Sequence, residues 1–332
     1  MVENTQKSME PCSDSTGRGK GKRKRVEEPS SCPAHLGTGK VPVTDAPPRK
    51  KRMKVTTSGC TNAIKPNTFD SLYSTGVKLG QGSFGAVFEG TRLCDGLQVA
   101  IKFVTKQDSD CYVQSADDDS KTVPIEVALM LRMSNPPVDN IVKLIEWFDE
   151  PECFILILER PQPCIDLETF LDSNGGSLTK TMFKDIMLQA VRAARKCYQR
   201  GVLHRDIKPK NFVINTDTME LKLIDFGCGD WVRRDGYANF AGTFKYCPPE
   251  YLLSKRYHAR SATVWSLGVL LFRMICGYHP FTTAKDILEG ISYLENSQSD
   301  ECWDLIHWCL QCEPTMRPSF QQILLHDWFE SA

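Results

Sequence analysis

The 332-residue chain, 41% hydrophobic and 25% charged, has an ordinary soluble globular composition, large enough for one big domain or two lobes. No apolar run suggests a membrane span, and the opening MVENTQKSMEPC lacks the apolar stretch of a signal peptide, so neither a membrane-embedded nor an exported protein is expected. Its 14 cysteines are scattered and, without an export signal, are expected to be reduced thiols of the cytosol or nucleus.

The net charge of zero hides an asymmetry. Residues 1–65 hold 14 Lys and Arg against 6 Asp and Glu, which leaves 27 against 35 for residues 66–332. The first segment is poor in aromatics and rich in Ser, Thr, Pro and Gly, too little apolar surface to offset the entropy of ordering. Residues 1–68 therefore read as a disordered basic tail. Two dense clusters within it, KGKRKR (20–25) and PPRKKRMK (47–54), suit importin binding or contact with a polyanion. The bland alternative is a solvated tail with no specific role.

From about residue 71, STGVKLG, GAVFEG, QVAIKFV, IVKLIEWFD and CFILILE are short β-branched or aromatic runs between turn residues, the pattern of an antiparallel sheet. The acidic stretch 108–121 reads as a solvated surface loop. VPIEVALMLRM (123–133) follows as a helix with a proline near its start. Beyond residue 165 the pattern is helical, at 178–200, 262–277 and DECWDLIHWCLQC (300–312). The one CxxC pair, Cys309 and Cys312, falls in the last of these and reads as part of a core helix in preference to a zinc site. The expected plan is α+β and bilobal: a strand-rich N-lobe over 69–160 and a mainly helical C-lobe over 161–332. At the seam, ILERPQPC (157–164) leaves an apolar strand through Pro161 and Pro163, neither of which has a backbone N–H to donate.

GQGSFGAV (80–87) joins two strands, and its glycines let backbone N–H groups approach phosphate oxygens. Alone it is weak evidence, because the same spacing fits an ordinary hairpin turn. VAIK (99–102) places Lys102 in an apolar strand, where its ammonium needs an anion, and Glu126 on the following helix is the candidate. HRDIKPKN (204–211), DFG (225–227) and PPE (248–250) then follow in order. Each has a bland explanation singly, but the ordered set does not.

The set resembles the protein kinase signature over residues 72–329. Within that family the chain is similar to the Pim serine/threonine kinases, through ERPQPCIDL, GVLHRDIK, GT before PPE, and RYHARSATVWSLGVLLFRMICG. The resemblance implies a bilobal kinase fold, with one main helix beside the N-lobe sheet. It implies transfer of the γ-phosphoryl of ATP, with Mg2+, to Ser or Thr of protein substrates. A monomer without membrane or nucleic-acid partners is also expected, placed by the basic clusters in the nucleus as well as the cytoplasm.

Carried over residue by residue, Leu79, Gly80, Gln81, Gly82, Ser83, Phe84, Gly85, Ala86 and Val87 cover the nucleotide, and Ala100, Glu159 and Asp166 line its site. Lys102, held by Glu126, takes the α/β-phosphates; Asn211 and Asp225 bind Mg2+. Asp206 orients the acceptor hydroxyl and takes its proton, and Lys208 neutralises charge on the moving phosphoryl group. Arg317 is expected to pair with Glu250. Leu158 falls at the gatekeeper position, and Cys164 and Cys228 fall near the ATP site.

Four departures from the family pattern matter. Between Cys228 and Gly242 the only hydroxyl is Tyr237, so the phosphate that many kinases pair with Arg205 has no obvious acceptor, and activity without loop phosphorylation is expected. Thr263 replaces an aspartate, as in Pim-type kinases. Lys210, Arg273 and Tyr278 replace acids that attract basic peptides, so arginine selectivity upstream of the acceptor is expected to be weaker than in the family, with Asp166 and Glu168 left to hold one basic residue; the alternative is that neighbouring acids of residues 66–332 compensate. Pro161 occupies the position whose N–H normally bonds adenine. A scaffold without catalysis would be favoured by loss of Lys102, Asp206, Asn211 or Asp225, and all four are present. A nucleic-acid-binding role would explain residues 1–65 alone.

Overall fold

The computed structural model describes residues 68–82, 85–108, 111–114, 122–174, 178–291 and 299–330, so the basic tail lies outside the described residues. Residues 64–332 form one compact unit.

Strands β1 (Tyr73–Gln81), β2 (Gly85–Arg92), β3 (Gln98–Thr105), β4 (Leu144–Asp149) and β5 (Cys153–Glu159) make one antiparallel sheet in the order β1-β2-β3-β5-β4. The period of two explains why FILIL is apolar throughout. Ile155 and Ile157 pack with Val99, Ile101, Phe69 and Tyr73 on one face, while Phe154, Leu156 and Leu158 join the main core on the other. The same alternation on β3 puts Lys102 opposite Leu156 and on the Leu156 side of the sheet, away from Ile101. Helix α1 (Ile125–Ser134) packs Val127, Leu129, Met130 and Met133 into that core.

Beyond Glu159 lie α2 (Leu167–Ser173), α3 (Lys180–Gln199), α4 (Ala259–Cys276) and α5 (Asp300–Cys309). Thr179 caps α3 by accepting from Met182 N. Helix α4 carries Trp265, Leu267, Val269, Leu270 and Leu271 at 0% exposure and is the axle of this half.

Three expectations need correction. Helix α4 is, by length and composition, apolar enough to cross a membrane, but 72% of its 18 residues are buried inside the protein, as in a core helix. Part of the acidic stretch is not loop, since Tyr112–Gln114 pairs antiparallel with Thr122–Pro124. The C-terminal half also holds a small antiparallel sheet of β6 (Cys164–Asp166), β7 (Phe212–Asn215) and β8 (Leu221–Leu223). Strands of three or four residues are too short for alternation to show in sequence. Of the CxxC pair, Cys309 is buried in α5, its thiol pushed up to about 12 by burial, and Cys312 is exposed.

Candidate active site

The β1–β2 turn carries the glycine-rich motif, with Gln81 opposite Ala86 and Gly82 N donating to Gly85 O at 2.8 Å. Ser83 and Phe84 lie outside the described residues. Its glycines serve two ends. A Cβ at Gly85 would fall 1.8 Å from Phe103 O, so the sheet itself demands glycine there. At Gly80 a Cβ would meet nothing within 4 Å, and at Gly82 only Gly85 O at 3.7 Å. The fold does not require bare backbone at those two positions, and its presence there leaves room for close approach of a phosphate.

Below this turn, Lys102 Nζ donates to Glu126 Oε1 at 2.6 Å and to Asp225 Oδ1 at 2.8 Å. Lys102 and Glu126 are 6% and 8% exposed. Burial alone would depress the lysine, but the two carboxylates outweigh it and hold the ammonium above its ordinary pKa. Burial, with Asp225 adding, pushes Glu126 up, whereas Lys102 overcomes burial at Asp225 and draws its carboxyl below the usual range. Two carboxylates share one cation, so the cluster has a spare negative charge.

The catalytic-loop residues converge on Asp206, 7% exposed. Its Oδ1 accepts from Thr243 N and Oγ1 at 2.9 and 2.8 Å, and its Oδ2 accepts from Asn211 Nδ2 at 2.8 Å and faces Lys208 Nζ at 2.7 Å. Lys208 also donates to Thr243 Oγ1 at 2.7 Å. Gly242, with φ 110°, brings Thr243 in, because a Cβ there would lie 2.4 Å from Arg205 O. Arg205 and Asp225 themselves have φ of 68° and 62°, conformations that cost roughly 1–3 kcal/mol each and persist where the surroundings impose them. Buried His204 accepts from Asp206 N at 3.3 Å through Nδ1, bonds Ile224 O through Nε2 at 2.9 Å and meets Phe226 edge-on at 4.8 Å.

Two residues that sequence reasoning passed over now stand out. Thr243 couples Asp206 to Lys208, and its signal was the GT preceding PPE. Asp230 supplies the anion for Arg205, whose Nη1 lies 3.6 Å from Asp230 Oδ2 while its other nitrogens donate to Cys228 O and Gly229 O. No local signal marks that pairing. Tyr237, 4% exposed, donates to Trp231 O at 2.6 Å and accepts from Arg233 N at 3.1 Å, with its ring stacked on Tyr257.

The seam residues are equally engaged. Glu159 accepts from Lys143 N at 2.8 Å and pairs with Lys222 at 3.1 Å, and Arg160 reaches across to Glu89 on β2. Asp166 caps α2 by accepting from Thr169 N and Oγ1. Glu168 is not free for a basic peptide, as Lys210 and Arg273 lie 3.7 and 3.9 Å from it. Burial raises the Cys164 thiol and pushes Cys228 to about 11, which favours the protonated thiol over the thiolate at both. Arg317 binds Glu250 through two nitrogens at 3.0 and 2.7 Å, as expected.

A cation fits the Asn211–Asp225 pair. Both Asn211 Nδ2 hydrogens go to Asp206, one to its carbonyl and one to its carboxylate, which leaves the amide oxygen as the group on offer. Oxygen donors of this kind suit Mg2+.

Residues 73–329 match the protein kinase domain family. The chain belongs to that family. It is 37% identical over 266 residues to the serine/threonine-protein kinase pim-2 of Danio rerio, spanning 78% of this chain and 85% of that protein. It is 38% identical over 264 residues to the serine/threonine-protein kinase prk-2 of Caenorhabditis elegans, spanning 78% of this chain and 58% of that one. It is a Pim-like serine/threonine protein kinase, an α+β bilobal enzyme of protein substrates, and its family uses ATP.

Proposed function

We propose that this kinase transfers the γ-phosphoryl of ATP to Ser or Thr of protein substrates without prior phosphorylation of residues 225–250. The acceptor oxygen forms the new O–P bond as the bond between the γ-phosphorus and the β,γ-bridging oxygen breaks, and the hydroxyl proton passes to Asp206. Thr243 and Asn211 hold that carboxylate in place. Lys208 neutralises charge on the moving group, Lys102 steadies the α/β-phosphates, and the β1–β2 turn covers them. Leu79, Ala86, Val87, Ala100 and Glu159 line the adenine side. Mg2+, held by Asn211 and Asp225, would neutralise phosphate charge.

The observation that carries the loop proposal is the Arg205–Asp230 pair. The cation that a loop phosphate would otherwise neutralise already faces a carboxylate of the same segment. Tyr237, the one hydroxyl between Cys228 and Gly242, is buried and bonded at both ends, so it is a poor acceptor for an activating kinase. The assignment is tested by radiolabelled phosphotransfer onto arrayed Ser, Thr and Tyr peptides with Asp225→Asn as the blank. Label on Ser and Thr peptides is expected, and label on none, or on Tyr alone, would refute it.

We also propose a monomer present in nucleus and cytoplasm, with clusters 20–25 and 47–54 serving importin. Neutralising both clusters should shift a tagged full-length chain out of the nucleus, and unchanged nuclear signal would count against the tail.

A further inference from the structure

Beside Asp206, the surface that would receive a peptide has lost its spare negative charge. Arg273 on α4 is bound to Asp172 at 2.8 Å and lies 3.9 Å from Glu168, while Lys210 lies 3.7 Å from the same Glu168. Asp166 is committed to capping α2. The carboxylates that a basic peptide would seek are therefore matched by the chain's own groups. Lys210 and Lys245 are matched less well. The Lys210 side chain is 69% exposed and its pair is loose, and exposed Lys245 has no ion pair among the described residues.

Two polar atoms close to these cations lack any hydrogen-bond partner among the described residues: Tyr246 Oη, on a residue 3% exposed, and His279 Nδ1. Their rings meet edge-on at 5.6 Å. Burial first, then Glu168, raises the Tyr246 hydroxyl, with Arg273 opposing and Asp206 adding, so it stays a protonated donor next to the transfer site. Burial, then Lys245 and Arg273, draws His279 down to about 4, which keeps it neutral. A loosely paired ammonium, one unpaired among the described residues and a hydroxyl without an acceptor among them ask for carboxylate or phosphate oxygens.

Resting on the kinase reading above, we propose that this enzyme selects Ser/Thr acceptors flanked by acidic residues, with Lys210 and Lys245 receiving the acid and Tyr246 Oη donating to it. The inversion does two things at once, attracting an acidic flank and repelling a basic one.

The test is steady-state kinetics of the full chain on three peptides that differ only in carrying Glu, Ala or Arg around one Ser. Expected kcat/KM falls from Glu to Ala to Arg, with Glu over Arg by roughly five- to tenfold, mostly in KM and shrinking with added salt. Lys210→Glu, at an exposed position, should narrow or reverse that order, and Tyr246→Phe should raise KM for the Glu peptide alone. Equal or better use of the Arg peptide by the wild type would overturn the proposal and leave the kinase reading intact. A Tyr246→Phe protein with unchanged KM would overturn the role given to that hydroxyl. Transfer to none of the three, nor to any Ser/Thr peptide on the array, would overturn the kinase reading as well.

Discussion

The Asp230 carboxylate accepts from Trp231 N at 2.8 Å and Arg233 Nη2 at 3.1 Å and faces the Arg205 guanidinium, all within a nearly buried setting. Asp230→Ala would leave Arg205 a part-buried cation without that carboxylate. The expected cost is about 1–3 kcal/mol of stability, with a fall in kcat that exceeds any rise in KM. Urea unfolding and peptide kinetics check both, and unchanged kcat would argue that Arg205 is held well enough by Cys228 and Gly229. At the seam, Pro161 offers adenine no N–H. Replacing it with an N–H-bearing residue such as Met should tighten ATP binding by about 0.5–1.5 kcal/mol, the worth of one neutral hydrogen bond. Calorimetric titration with ATP measures it, and no gain would mean that the hinge backbone does not address adenine in that way.

Helix α4 and its neighbours hold the C-terminal half through a buried ion pair. Arg317, whose side chain is 1% exposed, binds Glu250 in two places, donates to Ser261 O and Gln311 O, and covers Trp265 at 4.9 Å. Glu250→Ala strands that guanidinium inside the protein, so a loss of about 3–5 kcal/mol is expected in urea unfolding; a loss below 1 kcal/mol would show that the carbonyls and Trp265 suffice. This pair was legible beforehand, because PPE and the RP of RPSFQQILLHDWF occur in kinase order. The five N-lobe strands and the long helices were legible too, since each is long enough to express its period. The β6, β7 and β8 strands were not, being three or four residues each and defined by partners far along the chain. Asp230 was invisible for a related reason. It is one acid in a polar segment, and its meaning lies in an arginine 25 positions earlier, brought near by the turn at Phe226–Gly229.

Across the whole molecule, two histidines set an acid limit. Burial depresses His204, and His279 is drawn to about 4, both from an ordinary value of 6.5. As pH falls below 6.5 the unfolded chain takes up protons that the folded chain refuses, so stability declines from there toward pH 4. Urea midpoints at neutral and mildly acid pH should differ accordingly, and His279→Gln should reduce the difference; an identical slope in that variant would remove His279 from the explanation. The charge division of the sequence is basic before residue 66 and acidic after it, and within the acidic part Lys210 and Lys245 beside the transfer site are loosely paired or, among the described residues, unpaired. Arg205 faces the Asp230 carboxylate of its own chain, and Thr243 and Asn211 hold Asp206, so the central claim is activity without loop phosphorylation, and one measurement addresses it most directly. The full chain is produced in bacteria, treated with phosphatase, shown by mass spectrometry to be unmodified across 225–250, and assayed for phosphotransfer with Asp225→Asn as the blank. The same kcat as the untreated enzyme is expected. An inactive protein that gains activity only once that segment is phosphorylated would contradict it.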